Sequence, residues 1–207
     1  SRHFSKRIFG IYKRFTPRMR ELIEQYKGVV IQIATPFSIG TGFYLKDYDL
    51  IITNEHVVRN NKDVVVEGKG VQRVLSSVRY LDPKFDLAFV QGPKPNPWMG
   101  VKLHDQEDFR EGDPVIAVGH PFGLKYTATQ GIISNSSHQQ DDLYYIQHDA
   151  ALNPGNSGGP LVNDAGEILG VNTFIIQKGQ SIGFSLPARY IKQALDELKA
   201  GGDKSGV

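Results

Sequence analysis

Asn153-Pro154-Gly155-Asn156-Ser157-Gly158-Gly159-Pro160 is the stretch whose reading decides the fold. It sets a single serine among three glycines, at Gly155, Gly158 and Gly159. Glycine adopts backbone angles closed to other residues, so such a loop folds tightly and turns N–H groups toward one point. A negative oxygen growing on an attacked carbonyl needs that arrangement: fixed donors beside a nucleophile, with no side chain in the way. The same residue types also build ordinary surface turns. A serine hydroxyl alone is a weak nucleophile, so the two readings separate on whether the chain supplies a base for it.

Gly155-Asn156-Ser157-Gly158-Gly159 fits the G-x-S-x-G pattern of the α/β-hydrolases, in which serine is followed by acid and then histidine. That order is impossible here. The histidines are His3, His56, His104, His120, His138 and His148, and none follows Ser157. The base therefore precedes the nucleophile. Two orders remain: His, Asp, Ser as in chymotrypsin, and Asp, His, Ser as in subtilisin.

A chain of 207 residues suits one large domain or two small ones sharing a core. Forty per cent hydrophobic and 22% charged residues are ordinary for a globular protein, and 22 glycines with 11 prolines favour a turn-rich β architecture. No apolar run approaches the roughly 18 residues of a membrane span. The N-terminus lacks the continuous apolar segment of a secretory leader. Without cysteine there are no disulfides, thiolate nucleophiles or Cys-based zinc sites. The histidines show no metal-ligand spacing such as H-E-x-x-H, so no metal or other cofactor is expected. Residues 1–20 hold seven basic side chains and no acid, leaving 17 of the 24 basic residues against all 22 acids in the remainder, a balance of −5. The body is acidic and carries no nucleic-acid footprint.

Along the chain, Phe4, Ile8, Ile11, Tyr12, Phe15 and Met19 recur at helical spacing among the basic residues. This arm is expected to dock on its own domain or on another subunit; contact with a membrane surface is the sharper alternative. Thr16 as N-cap and Pro17 at the first helical position open a second helix reaching Tyr26 or Lys27. From Gly28 the period changes. Short β-branched runs at 29–35, 41–45, 50–53, 63–66, 71–79 and 87–90 are separated by turn residues, and three prolines within 91–100 mark a linker. Further runs follow at 114–118, 126–134, 143–148, 160–162, 168–176 and 181–185, and Pro187 opens a last helix. The expected fold is all-β: two antiparallel six-stranded barrels flanked by an N-terminal helical arm and a C-terminal helix. The corresponding division is arm and helix 1–27, first barrel 28–90, linker 91–111, second barrel 112–186, helix and tail 187–207. Subtilisin's parallel sheet does not fit.

His56 follows the strand at 50–53, at a core edge facing a cleft, and its ordinary pKa of about 6.5 suits proton exchange near neutrality. Asp86 enters the apolar run Leu87-Ala88-Phe89-Val90, where a carboxylate is costly unless paired; His56 would supply the partner. Asp82 competes, but its turn-like setting suggests that solvent satisfies it. His56, Asp86 and Ser157 give the chymotrypsin-type order, with the linker between acid and nucleophile.

These residues resemble the HtrA (Deg) serine proteases, a trypsin-like group. The matching stretches are Gly40-Thr41-Gly42-Phe43, Thr53-Asn54-Glu55-His56-Val57-Val58, Asp86-Leu87-Ala88, Gly119-His120-Pro121-Phe122-Gly123-Leu124, Thr129-Gln130-Gly131-Ile132-Ile133-Ser134, the run from Gln147 to Pro160, and Gly166-Glu167-Ile168-Leu169-Gly170-Val171-Asn172-Thr173. The resemblance implies His56 as general base, Asp86 as its orienter and Ser157 as nucleophile. It places the oxyanion hole on the backbone N–H groups of Gly155, Asn156 and Ser157, in a loop that rests inactive until neighbouring loops (120–127, 135–143 and 176–181) order it. It assigns Thr173, Phe174 and Ile175 to pairing with the substrate backbone and Leu152 with Ile175 to the specificity pocket. Ala151 stands where trypsin-type enzymes carry an acid, so cleavage is expected after small or medium apolar residues. The implied substrates are unfolded or misfolded proteins, the implied setting is the bacterial envelope or periplasm, and protein quality control under stress is the implied role. Family members carry a C-terminal PDZ domain, of which this sequence shows none, and the 34–40 segment is too short for a long inhibitory loop. Family trimers are held by N-terminal aromatics, a role for Phe4, Phe9, Tyr12 and Phe15. Two other readings stand beside the endopeptidase: a silent or latent protease-fold chaperone that binds peptides, and an esterase using the same triad.

Overall fold

Short strands of branched residues present one apolar face each and must close on one another to bury it. The structure, a computed structural model, describes residues 17–120, 126–178 and 180–201. Six strands, β1 (Val30–Ala34), β2 (Ile39–Leu45), β3 (Leu50–Thr53), β4 (Asp63–Gly68), β5 (Val71–Asp82) and β6 (Leu87–Gln91), form a closed antiparallel barrel in the order β1-β2-β3-β6-β5-β4. A second barrel closes in the order β10-β11-β12-β9-β8-β7 from β7 (Pro114–Gly119), β8 (Thr127–Gln140), β9 (Leu143–His148), β10 (Pro160–Asn163), β11 (Ile168–Lys178) and β12 (Gln180–Pro187). Closure leaves no unpaired edge around either ring. The fold class expected from the sequence is the one observed.

Three elements differ from the sequence reading. The 176–181 segment, expected to be a loop, is the tip of the β11–β12 ladder, with Ile176, Gln177 and Lys178 paired to Ile182, Ser181 and Gln180. The 135–143 segment, expected to be a loop, is largely strand: β8 continues to Gln140 and returns through Asp141 and Asp142, both at positive φ (52° and 68°). Consecutive positive φ angles suit a two-residue hairpin turn, and aspartate tolerates them better than most residues. The polar run Asn135-Ser136-Ser137-His138-Gln139-Gln140 lacks apolar alternation, so pairing with β9 rather than local pattern makes it strand. His56 sits not on a bare strand end but in a one-turn helix, α2 (Glu55–Val58). The arm with Phe4, Phe9, Tyr12 and Phe15, most of the 120–127 loop and the tail beyond 201 lie outside the described residues.

The flanking helices exchange barrels. Helix α1 (Pro17–Tyr26) precedes the first barrel yet is fastened to the second: Tyr26 Oη donates to the Gly166 carbonyl at 2.7 Å, and Arg18 Nη2 to that of Ala165 at 3.4 Å. Helix α3 (Ala188–Lys199) follows the second barrel and reaches the first, with the Tyr190 and Phe85 rings 5.0 Å apart and the Tyr80 hydroxyl set between carboxylate oxygens of Glu197 at 2.9 Å and Asp82 at 3.0 Å. One apolar cluster accordingly runs from Phe43, Tyr80 and Phe89 through Leu22 to Val171, Leu186 and Ile191. The two rings share a core and are braced in one relative position.

Burial pushes the Tyr26 hydroxyl well above its ordinary range, so it stays a neutral donor. Tyr26→Phe removes that donor and leaves the Gly166 carbonyl facing apolar surroundings, at a cost of about 1–2 kcal/mol. Urea unfolding should show a lower midpoint with unchanged slope; an unmoved midpoint would mean that α1 contributes nothing to the brace.

Candidate active site

The site is assembled from both barrels. Val57 and Val58 are buried and pin α2 to the first barrel, which turns His56 outward into the cleft. Asp86 closes the turn before β6 at φ 53°, a left-handed conformation that aspartate accepts more readily than most. Its two oxygens hold His56 twice: Oδ1 accepts the His56 backbone N–H at 2.9 Å and Oδ2 lies 2.6 Å from ring Nδ1. An ionised carboxylate only accepts, so Nδ1 carries the proton and Nε2 presents a lone pair. That lone pair faces Ser157 Oγ at 2.7 Å. The structure thus brings His56, Asp86 and Ser157, distant in sequence, into one hydrogen-bonded line.

Asp82 behaves differently from its sequence reading. It is buried, not solvated: it accepts from Tyr80 Oη at 3.0 Å and from the N–H groups of Lys84 and Phe85 at 3.1 and 3.2 Å. Those bonds shape the 83–86 turn that presents Asp86.

Ser157 follows a single 3-10 turn, Pro154–Asn156, and precedes Gly158 at φ 92°. A Cβ at Gly158 would stand 2.0 Å from the Thr41 carbonyl oxygen, so only glycine fits there. The nucleophile loop is bolted to β2 of the other barrel: Thr41 N–H donates to the Ser157 carbonyl at 2.9 Å and Thr41 Oγ1 to that of Gly155 at 2.8 Å.

The three N–H groups expected to converge on an oxyanion do not do so in this loop shape. Gly155 N donates to Asn153 Oδ1 at 3.0 Å, Asn156 N to the Asn153 carbonyl at 2.9 Å and Ser157 N to the Pro154 carbonyl at 3.3 Å. Proline at the first turn position and an asparagine cap favour the tight turn, and the turn consumes the donors. The Asn156 side chain points away from the cleft, accepting from Thr127 Oγ1 at 3.4 Å and lying where a Cβ on Gly119 would be 2.0 Å from its oxygen.

The cleft is a cavity of about 350 Å³ whose walls include Ser38, Ile39, Leu152, Thr173, Phe174 and Ile175 beside His56 and Ser157. Leu152 and Ile175 meet in a small apolar cluster with Ala117 and Ala150. Phe174 is fixed by stacking on Phe184 at 4.7 Å and by the edge of Tyr145 at 5.0 Å. Asp149 turns away, accepting from the Ile132 N–H at 2.7 Å. Ala151 puts no charge into the cleft. Beyond Val171, β11 pairs with β12 alone among the described residues; its other side faces the cleft, where the Thr173 carbonyl lies 3.3 Å from Ser157 Oγ.

Two buried polar residues went without a role in the sequence reading. Asn54 contacts the triad directly, its Oδ1 lying 2.9 Å from Ser157 Oγ as a second acceptor for the hydrogen that also faces His56 Nε2. His148 lies beneath the pocket, its Nε2 3.1 Å from Asn172 Oδ1, which also accepts from Ser185 at 2.6 Å. Nothing in local pattern separates Asn54 from an ordinary helix cap or His148 from a strand residue. Among the described residues, no group of three or more His, Asp or Glu side chains is placed to hold a metal ion, and no helix is long and apolar enough to cross a membrane.

The trypsin-like peptidase domain family matches residues 40–171. Zebrafish "Serine protease HTRA1A" is 40% identical over 197 residues, covering 92% of this chain and 41% of that protein. The "Probable periplasmic serine endoprotease DegP-like" of Chlamydia muridarum is 40% identical over 171 residues, covering 79% and 34%. Among solved structures, the HtrA-type protease AlgW with tripeptide superposes with a TM-score of 0.76 at 31% identity, over 86% of this chain and 62% of the other. The chain thus spans about two fifths or less of these two relatives and about three fifths of that solved chain.

Burial holds the His148 imidazole down at about 4, against an ordinary value of 6.5. The unfolded chain therefore takes up a proton before the folded one does, and the stability this group contributes is full above about pH 6.5 and lost as pH falls through about 4. The gap between the two values corresponds to about 3 kcal/mol. Between pH 7.5 and 4, urea midpoints should fall more steeply for the wild type than for His148→Asn. Parallel profiles would show that His148 does not control acid sensitivity.

Proposed function

The chain belongs to the trypsin-like peptidase family, in its HtrA group, and from that membership we propose a serine endopeptidase that cuts unfolded or exposed protein segments through an acyl-enzyme. The observation that carries the reading is the unbroken line Asp86 Oδ2, His56 Nδ1, His56 Nε2, Ser157 Oγ, with links of 2.6 and 2.7 Å across the ring. Ser157 Oγ adds to the scissile carbonyl while its proton passes to Nε2; the imidazolium then protonates the departing amine. Water repeats the sequence on the ester, with His56 again as base. Asp86 stays ionised throughout, holding the tautomer and stabilising the transient imidazolium.

Substrate would lie along the cleft side of 173–175 as an added strand. Its side chain before the cut would enter the apolar pocket by Leu152 and Ile175, where no acid awaits a lysine or arginine. Small or medium apolar residues such as valine, alanine or leucine fit that lining. An envelope or periplasmic setting for a bacterial form, suggested by the names of the Chlamydia relatives, and a trimer held through the arm belong to the same proposal.

The engaged N–H groups of Gly155, Asn156 and Ser157 favour a second reading, a resting or silent form that binds peptide without cutting. One missing oxyanion donor costs about 3–4 kcal/mol of transition-state stabilisation, so a chain locked in this shape would turn over slowly. Turning the Pro154–Gly155 peptide would release the Gly155 and Ser157 donors together. The same triad also suits ester hydrolysis.

A fluorophosphonate probe decides between these. The proposal expects covalent labelling of Ser157, none in Ser157→Ala, cleavage of unfolded casein, and faster cutting of peptides with valine than with lysine before the scissile bond. An unlabelled wild type that binds casein intact would make it a binder; turnover confined to small esters would make it an esterase.

A further inference from the structure

Asn54 stands at the N-cap of α2, where an asparagine side chain ordinarily accepts from the N–H groups of its own helix. Its backbone is extended as a cap requires (φ −84°, ψ 147°), yet the side chain makes no capping bond. It is fully buried. Both ends of its amide are spent on the site instead. Nδ2 donates to the Asp86 carbonyl at 2.8 Å and to Thr173 Oγ1 at 3.2 Å, while Oδ1 lies 2.9 Å from Ser157 Oγ.

The network itself orients this amide. The Thr173 hydroxyl gives its hydrogen to the Val171 carbonyl at 2.9 Å, so toward Asn54 its oxygen can only accept. The Asp86 carbonyl likewise only accepts. Nitrogen must face these two, which leaves oxygen facing Ser157.

We infer that Asn54 is a positioning residue of the site, a clamp joining the turn that carries Asp86, the strand beside the cleft and the hydroxyl of Ser157 in one rigid planar group. The inference rests on the protease reading above. A serine hydroxyl has three staggered wells open to it. With His56 Nε2 at 2.7 Å, Asn54 Oδ1 at 2.9 Å and the Thr173 carbonyl at 3.3 Å, its oxygen sits in one of them among three acceptors that share its single hydrogen. Aspartate keeps the shape but turns two donors into acceptors that face acceptors at Asp86 and Thr173. Leucine fills the space and leaves the Asp86 carbonyl and the Ser157 hydroxyl without this partner.

Asn54→Asp and Asn54→Leu test the clamp in the full chain, by fluorophosphonate labelling, thermal melting and the far-downfield proton NMR signal of the His56 Nδ1–H. The saturating labelling rate should fall roughly 10- to 100-fold in Asn54→Leu and further in Asn54→Asp, with the half-saturating probe concentration within about twofold of wild type. The NMR signal should broaden in both while the melting transition stays cooperative. A space-filling role predicts the reverse order, with the same-shaped aspartate nearest to wild type, and that order overturns the inference. If Asn54→Leu does not fold, Asn54→Asp decides alone: wild-type labelling and a sharp signal overturn the clamp. The NMR reading needs no turnover. A wild type that resists the probe refutes the protease reading, whereas a signal unmoved by both substitutions refutes the clamp.

Discussion

The Thr41 N–H to the Ser157 carbonyl, at 2.9 Å, is the contact on which the site depends, because base and nucleophile ride on different barrels. Gly158 makes that approach possible: at φ 92° it lets the chain after the serine pass so close to the Thr41 carbonyl that a Cβ there would lie 2.0 Å away. Thr53 extends the same line inward, donating to the Thr41 carbonyl at 2.7 Å. A shift of one barrel against the other therefore moves Ser157 relative to His56 directly. The exchanged helices resist such a shift, since α1 holds the second barrel from the first barrel's side and α3 returns the favour.

Legibility in the sequence followed the range of the forces involved. Strand β3 and the start of β6 were readable because a short continuous apolar run between turn residues is a local signal. The meeting of His56, Asp86 and Ser157 was expected from their order, their flanks and a long glycine-lined match, and the three side chains are in contact. The extension of β8 was not, since its polar residues become strand only through pairing with β9. Asp82 was read as solvated because sequence does not show that Tyr80 and two backbone N–H groups close over it. Asn54 stood in plain sight within a motif, but its partners are 32, 103 and 119 residues away.

Near the triad Asn172 ties three buried groups together, while the buried Nδ1 of His148 is left without a hydrogen-bond partner. Asn172 accepts from Ser185 and His148 while donating to the Pro160 carbonyl at 3.2 Å, and His148 stays neutral because burial disfavours its charge. That network lies under the pocket and carries no formal charge. Its rigidity is thus obtained without the desolvation cost of buried ions. Among the described residues that line the cleft or touch the triad, formal charge enters through Asp86, whose carboxylate is partly exposed and doubly bonded to His56.

The nucleophile loop cannot serve its own turn and a developing oxyanion at once. Each N–H of Gly155, Asn156 and Ser157 has one hydrogen, and in this shape each is given to an oxygen of Asn153 or Pro154. Without substrate that is the economical arrangement, since free donors would otherwise be left to solvent. Opening it would exchange these internal bonds for bonds to substrate. The loop's supports are identifiable: Asn156 is wedged against Gly119 and Thr127, the ends of the strands that flank 121–125. A site whose proton relay is assembled while its oxyanion donors are withheld separates nucleophile activation from transition-state stabilisation. The second can change without disturbing the first.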